Sequence, residues 1–322
     1  MSTATQERER RAFLEARRAY IGGTDVAAIL GISPWSSPLQ VWREKTNPVP
    51  ETDGSSLAMR RGLALEDFIA DEFARAKPGL VTYRPRPVVR TDWGFPAGAS
   101  VDRMVATTEH PRTPVAILEA KTAFKYGWRD WNEETGELPD AYYIQQQWYL
   151  AVTELPLSYG AADIGDPGAL RIIPTRPDRR IQRRCIEAAR EFWERHVLTG
   201  QPPQPNGSDG DAAVLRDLYR DPLPDPAVPL DDPEAARLLR TYLEAKGTAD
   251  SAKREAESAK QQLCALMGEH EKALVDGYLL TWKTQRRTTL DTKALRDAYP
   301  AIAGEFSRTT ETRVFGTPKE TR

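Results

Sequence analysis

The stretch Val115-Ala116-Ile117-Leu118-Glu119-Ala120-Lys121-Thr122 decides how the chain is read. Its first four residues are apolar and two of them are β-branched, which predicts a strand from Val115 to Lys121. Glu119 and Lys121 interrupt the apolar run. Residues two apart on a strand point to the same face, so both charges project together at one end of the strand. Neither tolerates burial without a partner. An ordinary ion pair at a strand end is the plain reading. The context adds a second carboxylate, because Ala97–Val105 reads as an upstream strand carrying Asp102, a hairpin's distance from Glu119. Antiparallel neighbours would set Asp102 and Glu119 side by side, where like charges repel and favour a bound cation.

The donor inventory narrows that cation. The chain holds 3 histidines and 2 cysteines, Cys185 and Cys264, too dispersed for a zinc or iron–sulfur site and too few for a disulfide framework. An oxygen-only site suits magnesium, with manganese able to substitute. A third carboxylate comes from a helix predicted over Met59–Ala76. Its expected buried arc is Leu65, Phe68, Ile69, Phe73 and Ala76, with Glu66 at the edge and Asp67 and Asp71 outside. Glu72 also falls within that arc, so helical geometry leaves Glu66 and Glu72 as alternatives. Phosphodiester hydrolysis needs a positioned water, a cation that activates it, and positive charge near the developing oxyanion. Lys121 is placed to orient or deprotonate that water, or to sit on the phosphate.

Around this core the elements alternate. Helices are predicted at Glu7–Ala19, Thr24–Leu30 and Pro38–Glu44 ahead of Met59–Ala76, and strands at Val81–Tyr83 and Pro87–Val89 ahead of Ala97–Val105. A helix over Ala141–Val152, strands over Leu157–Asp163 and Ala169–Pro174, and a helix over Asp178–Leu198 complete the region. The order predicts an α/β (α+β) fold, a mixed central sheet flanked by helices. Gln145, three residues from Tyr142 and Trp148 and four from Tyr149, either rims an aromatic core or reaches a phosphate or water. Trp35, in Ser33-Pro34-Trp35-Ser36-Ser37-Pro38, reads as a packing residue that braces its loop.

A proline-rich linker, residues 201–231, follows, with a short helix over Ala212–Tyr219 inside it. Residues 232–322 form an accessory region. Asp232–Met267 reads as a long helix whose positions Ala235, Tyr242, Ala249, Ala256, Leu263 and Leu238, Ala245, Ala252, Ala259, Leu266 make a narrow heptad seam. Asp276-Gly277 predicts a hairpin. A helix over Thr292–Ala298 and a strand over Arg313–Phe315 end the chain.

Net charge is −2 over 322 residues, which excludes a molecule that binds nucleic acid through its overall field. A local channel would have to do so. The basic runs Arg171, Arg176, Arg179, Arg180, Arg183, Arg184 and Lys283, Arg286, Arg287 are candidates. No apolar run is long enough to span a membrane and no signal-peptide core is evident, so a soluble, cytoplasmic protein is expected.

Four flanking segments carry a resemblance. Residues 20–46 (YIGGTDVAAILGISPWSSPLQVWREKT), 60–74 (RRGLALEDFIADEFA), 98–105 (GASVDRMV) and 142–155 (YYIQQQWYLAVTEL) resemble, in that order, the YqaJ-like viral recombinase family. That family is related to phage lambda exonuclease and to the PD-(D/E)XK nucleases. The resemblance runs from about Arg17 to Gly200, so residues 7–200 are expected to form the nuclease domain. It implies that Asp102 and Glu119 hold the metal with the Ala120 carbonyl, that Lys121 is the catalytic lysine, and that Glu66 rather than Glu72 is the helical glutamate. It matches Gln145 to a catalytic-site glutamine and Gln147 to a supporting one. Arg17, with Arg18 as its alternative, and Thr24 fall where the family presents an arginine and a small hydroxyl residue to a DNA 5′-phosphate. Arg103 stands where relatives often have glycine.

The resemblance therefore implies a magnesium-dependent exonuclease of phage recombination, acting 5′ to 3′ on double-stranded DNA ends and leaving 3′ overhangs. Its host would be a bacterium carrying the phage or prophage. A single-strand annealing protein and a homo-oligomer, closed rings included, are the partners it allows. An endonuclease with the same site and an inactive DNA-end-binding adaptor are the alternatives.

Overall fold

The structure is a computed structural model and describes residues 3–47, 56–123, 131–132, 134–165, 170–221, 229–309, 314–316 and 318. Helices α1 (Thr3–Arg18), α2 (Gly23–Ile29), α3 (Pro38–Thr46) and α4 (Leu57–Ala76) come first. Strands β1 (Leu80–Tyr83), β2 (Val88–Arg90), β3 (Ala97–Ala99), β4 (Arg103–Thr107) and β5 (Pro114–Thr122) follow. Then come α5 (Asp140–Thr153), β6 (Ser158–Asp163), β7 (Arg171–Thr175) and α6 (Arg179–Phe192), which runs into a π-helical turn, Trp193–Val197. Helix α7 (Asp209–Leu218) ends this part of the chain.

The main sheet has the order β1-β4-β5-β6-β7. All neighbours are antiparallel except β5 and β6, which are parallel. Strand β5 lies at its centre, and its apolar run is explained by cover on both faces. Ala116, Leu118 and Ala120 pack with Ile69, Ala70 and Phe73 of α4. Ile117 joins Val26 of α2 and Ile144 and Trp148 of α5 in a second cluster. The two-residue period therefore sends Glu119 and Lys121 to the α5 side.

Two expectations about the site's supports change. Ala97–Val105 is not one strand. Strand β3 pairs with β2 in a separate two-stranded sheet, and β4 begins only at Arg103. The small residues of β3 are claimed by the chain before α2: the Gly98 N–H donates to the Ile21 carbonyl at 2.8 Å. A Cβ on Gly98 would lie 2.1 Å from the Tyr20 ring. Asp102 thus sits in the bend that leads into β4 rather than within a strand. On α4 the buried stripe is Ile69, Ala70 and Phe73, whereas Phe68 and Ala76 are exposed. The sheet beneath offers alanines at positions 116, 120 and 161, so a narrow stripe fills the space and Phe68 is left outside.

The chain divides into compact units after Arg220. Helix α7 belongs to the first, where Arg43 of α3 pairs with Asp217 and the Ser37 hydroxyl donates to Asp211. Of the proline-rich segment, residues 222–228 lie outside the described residues. The second unit has a 35-residue helix, α8 (Pro233–Met267), exposed along most of its length. Strands β8 (Lys272–Val275) and β9 (Tyr278–Thr281) form the expected hairpin. Asp276 and Gly277 at its tip have φ of 47° and 81°, the pair of positive values a tight two-residue turn requires. Helices α9 (Thr292–Ala298) and α10 (Pro300–Glu305) follow, the latter not predicted. Of the strand expected at Arg313–Phe315, Arg313 lies outside the described residues, and Val314 and Phe315 are not in a strand. Among the described residues no helix is long and apolar enough to cross a membrane.

Candidate active site

Strand β5 builds the centre of the site. Its partner β4 pairs Arg103 with Leu118, and one step further along that register Asp102 faces Glu119. The Ala120 N–H donates to Asp102 Oδ2 at 2.8 Å, which ties the bend to β5. Glu119 is 2 % exposed. Its Oε1 accepts from Lys121 Nζ and from Gln145 Nε2, each at 2.6 Å, and its Oε2 is buried with no hydrogen-bond partner. Burial raises the Glu119 carboxyl well above its usual range, Asp102 and Glu66 add to this, and Lys121 opposes it. Burial works against the Lys121 charge, but Glu119 and Asp102 outweigh it and hold the ammonium protonated. The Tyr142 ring lies over that ammonium, 5.1 Å from Nζ to the centroid.

Glu66 approaches from α4, on the other side of the sheet. Burial, then repulsion from Asp102, pushes its carboxyl up to about 7. Its nearest cations are Arg84, at 3.8 Å, and Arg103, at 3.9 Å. Arg103 is buried, donates to the Asp102 carbonyl at 2.6 Å, and also pairs with Asp67. The residue after Asp102 is therefore part of the site's electrostatics, which its position in the sequence did not signal. Among the described residues no three His, Cys, Asp or Glu side chains gather into a ready metal-ligand set. The reason is geometric: Glu119 faces α5, Glu66 belongs to α4, and Asp102 lies in the bend at the strand end. The donors nonetheless fit a hard divalent cation. They are all oxygens, the carboxylates of Asp102 and Glu119 lie opposite each other, and a buried Glu119 oxygen has no partner.

Gln145 links this centre to a second cluster. Its Nε2 also lies 2.9 Å from the Tyr149 hydroxyl. Gly23 lets α2 press against this part of α5, since a Cβ there would lie 2.8 Å from the Tyr149 ring. That contact brings up Thr24 and Asp25. Arg17 donates to the Thr24 hydroxyl and to Asp25 Oδ1, the latter at 3.1 Å. Lys45 Nζ reaches Asp25 Oδ2 at 2.6 Å and the Arg17 carbonyl at 3.0 Å. Asp25 further accepts from the Gly22 N–H at 2.8 Å, as the third residue of its helix reaching back to the cap. Arg18 turns away to Glu15, so Arg17 is the arginine beside Thr24. Burial of Asp25 is more than offset by Lys45 and Arg17, which hold its carboxyl below its usual range.

Gln147 does not face Glu119. Its Nε2 donates to the Arg176 carbonyl and its Oε1 accepts from the Asp178 N–H, both at 2.8 Å, so it fastens α5 to the start of α6. Sequence reading missed Asp25 and Lys45. No local pattern signals them: Lys45 ends the charged run Arg43-Glu44-Lys45, and only the packing of α2 on α3 brings it to Asp25.

Comparison with known proteins adds kinship. The family model of the YqaJ-like viral recombinase domain matches residues 12–156. The uncharacterized protein YqaJ of Bacillus subtilis (strain 168) is 31 % identical over 313 residues, which cover 96 % of this chain and 94 % of that protein. Among solved structures, the alkaline exonuclease LHK-Exo of Laribacter hongkongensis shares 15 % identity with a TM-score of 0.44, over 65 % of this chain and 96 % of that one. A phage related exonuclease of Haemophilus somnus 129PT shares 11 % identity with a TM-score of 0.42, over 58 % and 99 %.

Proposed function

The chain belongs to the YqaJ-like viral recombinase family, and on that premise we propose that it is a magnesium-dependent exonuclease that digests linear duplex DNA 5′ to 3′, leaving 3′ overhangs. The observation that carries this reading is the buried Glu119 carboxylate, one oxygen held by Lys121 and Gln145 and the other without a partner, opposite Asp102. Asp102, Glu119 and the Ala120 carbonyl would hold the ion, with Glu66 supporting it or its water. When bound, the ion would lower the pKa of a water and neutralise charge on the phosphate. Lys121, held protonated by its acidic neighbours, acts as a donor rather than a base: it orients the attacking water and faces the developing oxyanion. Gln145 fixes the Glu119 carboxylate, and Arg17 with Thr24 engages the 5′-phosphate of the end.

Linear and circular duplexes, the linear ones 5′-phosphorylated or 5′-hydroxylated, test this with magnesium or chelator. We expect only linear DNA to shorten, from its 5′ strands, faster when phosphorylated, and not at all with chelator. Cleavage of closed circles would instead support the endonuclease reading. End binding without nucleotide release would support the adaptor.

The site also predicts a pH dependence. Glu66 and Glu119 carry folded pKa values, about 7 and about 8, above the unfolded one, so between about pH 4.5 and 8 the metal-free fold binds more protons than the unfolded chain. Stability from these groups is present at lower pH and is lost as pH rises through that window. In chelator, Tm should fall across it by about 2–4 °C, the shift that about 1 kcal/mol produces in a domain of this size. Magnesium competes with those protons, so the Tm increment it produces should grow with pH. Thermal scans at several pH values, with magnesium or chelator, check this. An increment that shrinks as pH rises would contradict the assignment.

A further inference from the structure

Trp35 was expected to pack, yet it is 64 % exposed. Its ring stacks on Tyr142, with centroids 5.3 Å apart and planes 23° from parallel. Tyr142 in turn covers the Lys121 ammonium. Exposure rises along this row, from Lys121 at 19 % through half-buried Tyr142 to Trp35. An aromatic ladder thus leads from the reacting amine outward and ends on a ring left open to solvent.

The loop that presents Trp35 is pinned in advance. The Ser33 hydroxyl accepts from the Trp35 and Ser36 N–H groups, both at 3.2 Å. Ser37 caps α3, accepting from the Gln40 N–H at 3.1 Å, while Pro38 opens that helix. Pro34 restricts the chain on the other side. A ring already held in place loses little conformational freedom on binding.

Resting on the nuclease reading above, we propose that Trp35 is a stacking platform for the nucleobase of the terminal nucleotide on the strand being digested. Every base has a π-face, so such a platform serves any sequence, as an exonuclease that meets each base in turn requires. The row Trp35–Tyr142–Lys121 then sets the distance between the stacked base and the amine that acts on its phosphate.

The test pairs two variants with two substrates, using the full chain. Linear duplexes carry either an intact or an abasic nucleotide at the 5′ end. Binding is measured in calcium by fluorescence anisotropy, and KM and kcat in magnesium. Trp35→Ala should weaken binding and raise KM about tenfold on the intact end, the size of one lost base–aromatic stack, with kcat changed less than KM. Trp35→Phe should recover most of the loss. The abasic end should cost the wild-type protein about the same factor and cost Trp35→Ala nothing more. A Trp35→Ala protein that binds intact ends normally, or that still discriminates against the abasic end, overturns the inference while leaving the nuclease reading in place. If the wild-type protein releases no nucleotides from linear duplex in magnesium, the nuclease reading falls and takes this inference with it.

Discussion

Replacing Lys121 with alanine should lower the rate of nucleotide release by about 10³-fold while leaving DNA-end binding within a few-fold of the wild type. Transition-state donors and positioned proton-handling groups are each worth about 10²–10⁴ in rate. The amine lies 2.6 Å from Glu119 Oε1, is held protonated by its acidic neighbours, and sits against the face of Tyr142. The fold should survive its loss. Gln145 continues to hold the same Glu119 oxygen at 2.6 Å, and the raised carboxyl pKa lets Glu119 take up a proton when no cation is near. Lys121→Arg should not restore the rate, because a planar guanidinium cannot place a point charge where the ammonium sits. Single-turnover digestion in magnesium, beside anisotropy in calcium, separates chemistry from binding. A Lys121→Ala enzyme within tenfold of the wild-type rate would remove this residue from the mechanism.

The centre of this site was legible because it is local. Glu119 and Lys121 share a strand face by a two-residue period, and the register that sets Asp102 opposite Glu119 needs only a hairpin. Gln145 was legible as to its helix but not its partner, since α5 meets Glu119 from a part of the chain beyond the sheet's first hairpin. What stayed hidden depends on contacts between distant segments. The break between β3 and β4 follows from Tyr20 and Ile21 claiming Gly98, which no pattern within residues 97–105 reveals. Phe68 is exposed because α4 lies over alanines of β5 and β6, so the width of its buried stripe was set by the sheet and not by the helix. Arg103 reads as a substitution next to a ligand, and only the fold shows its guanidinium reaching Glu66 and Asp67.

The same distance between sequence and contact hides Asp25, and its removal should be the most destabilising single change near the site. Asp25 is 3 % exposed and is the anion for two cations drawn from α1 and α3. Breaking a buried pair by deleting one partner costs about 3–5 kcal/mol, because the other charge stays behind without compensation. Here the Lys45 side chain is 1 % exposed, so deleting Asp25 leaves its charge buried without that anion. Asp25→Ala should therefore lower Tm by about 6–20 °C, taking about 2–4 °C per kcal/mol. Asp25→Asn, which can still accept from the Gly22 N–H, should lower it less. If the stranded charge is the cause, adding Lys45→Met to Asp25→Ala should recover part of the loss, because a methionine fills the space and needs no anion. Function follows the same contact. Arg17 is aimed at Thr24 by Asp25, so a folded Asp25→Asn protein should lose much of its preference for 5′-phosphorylated over 5′-hydroxyl ends. Thermal unfolding of the two single variants and the double variant measures the first claim, and paired digestion of the two ends measures the second. An Asp25→Ala protein that melts within about 3 °C of the wild type would mean that Lys45 finds water or another anion at little cost, and the bridge between α1, α2 and α3 would then be incidental to the fold.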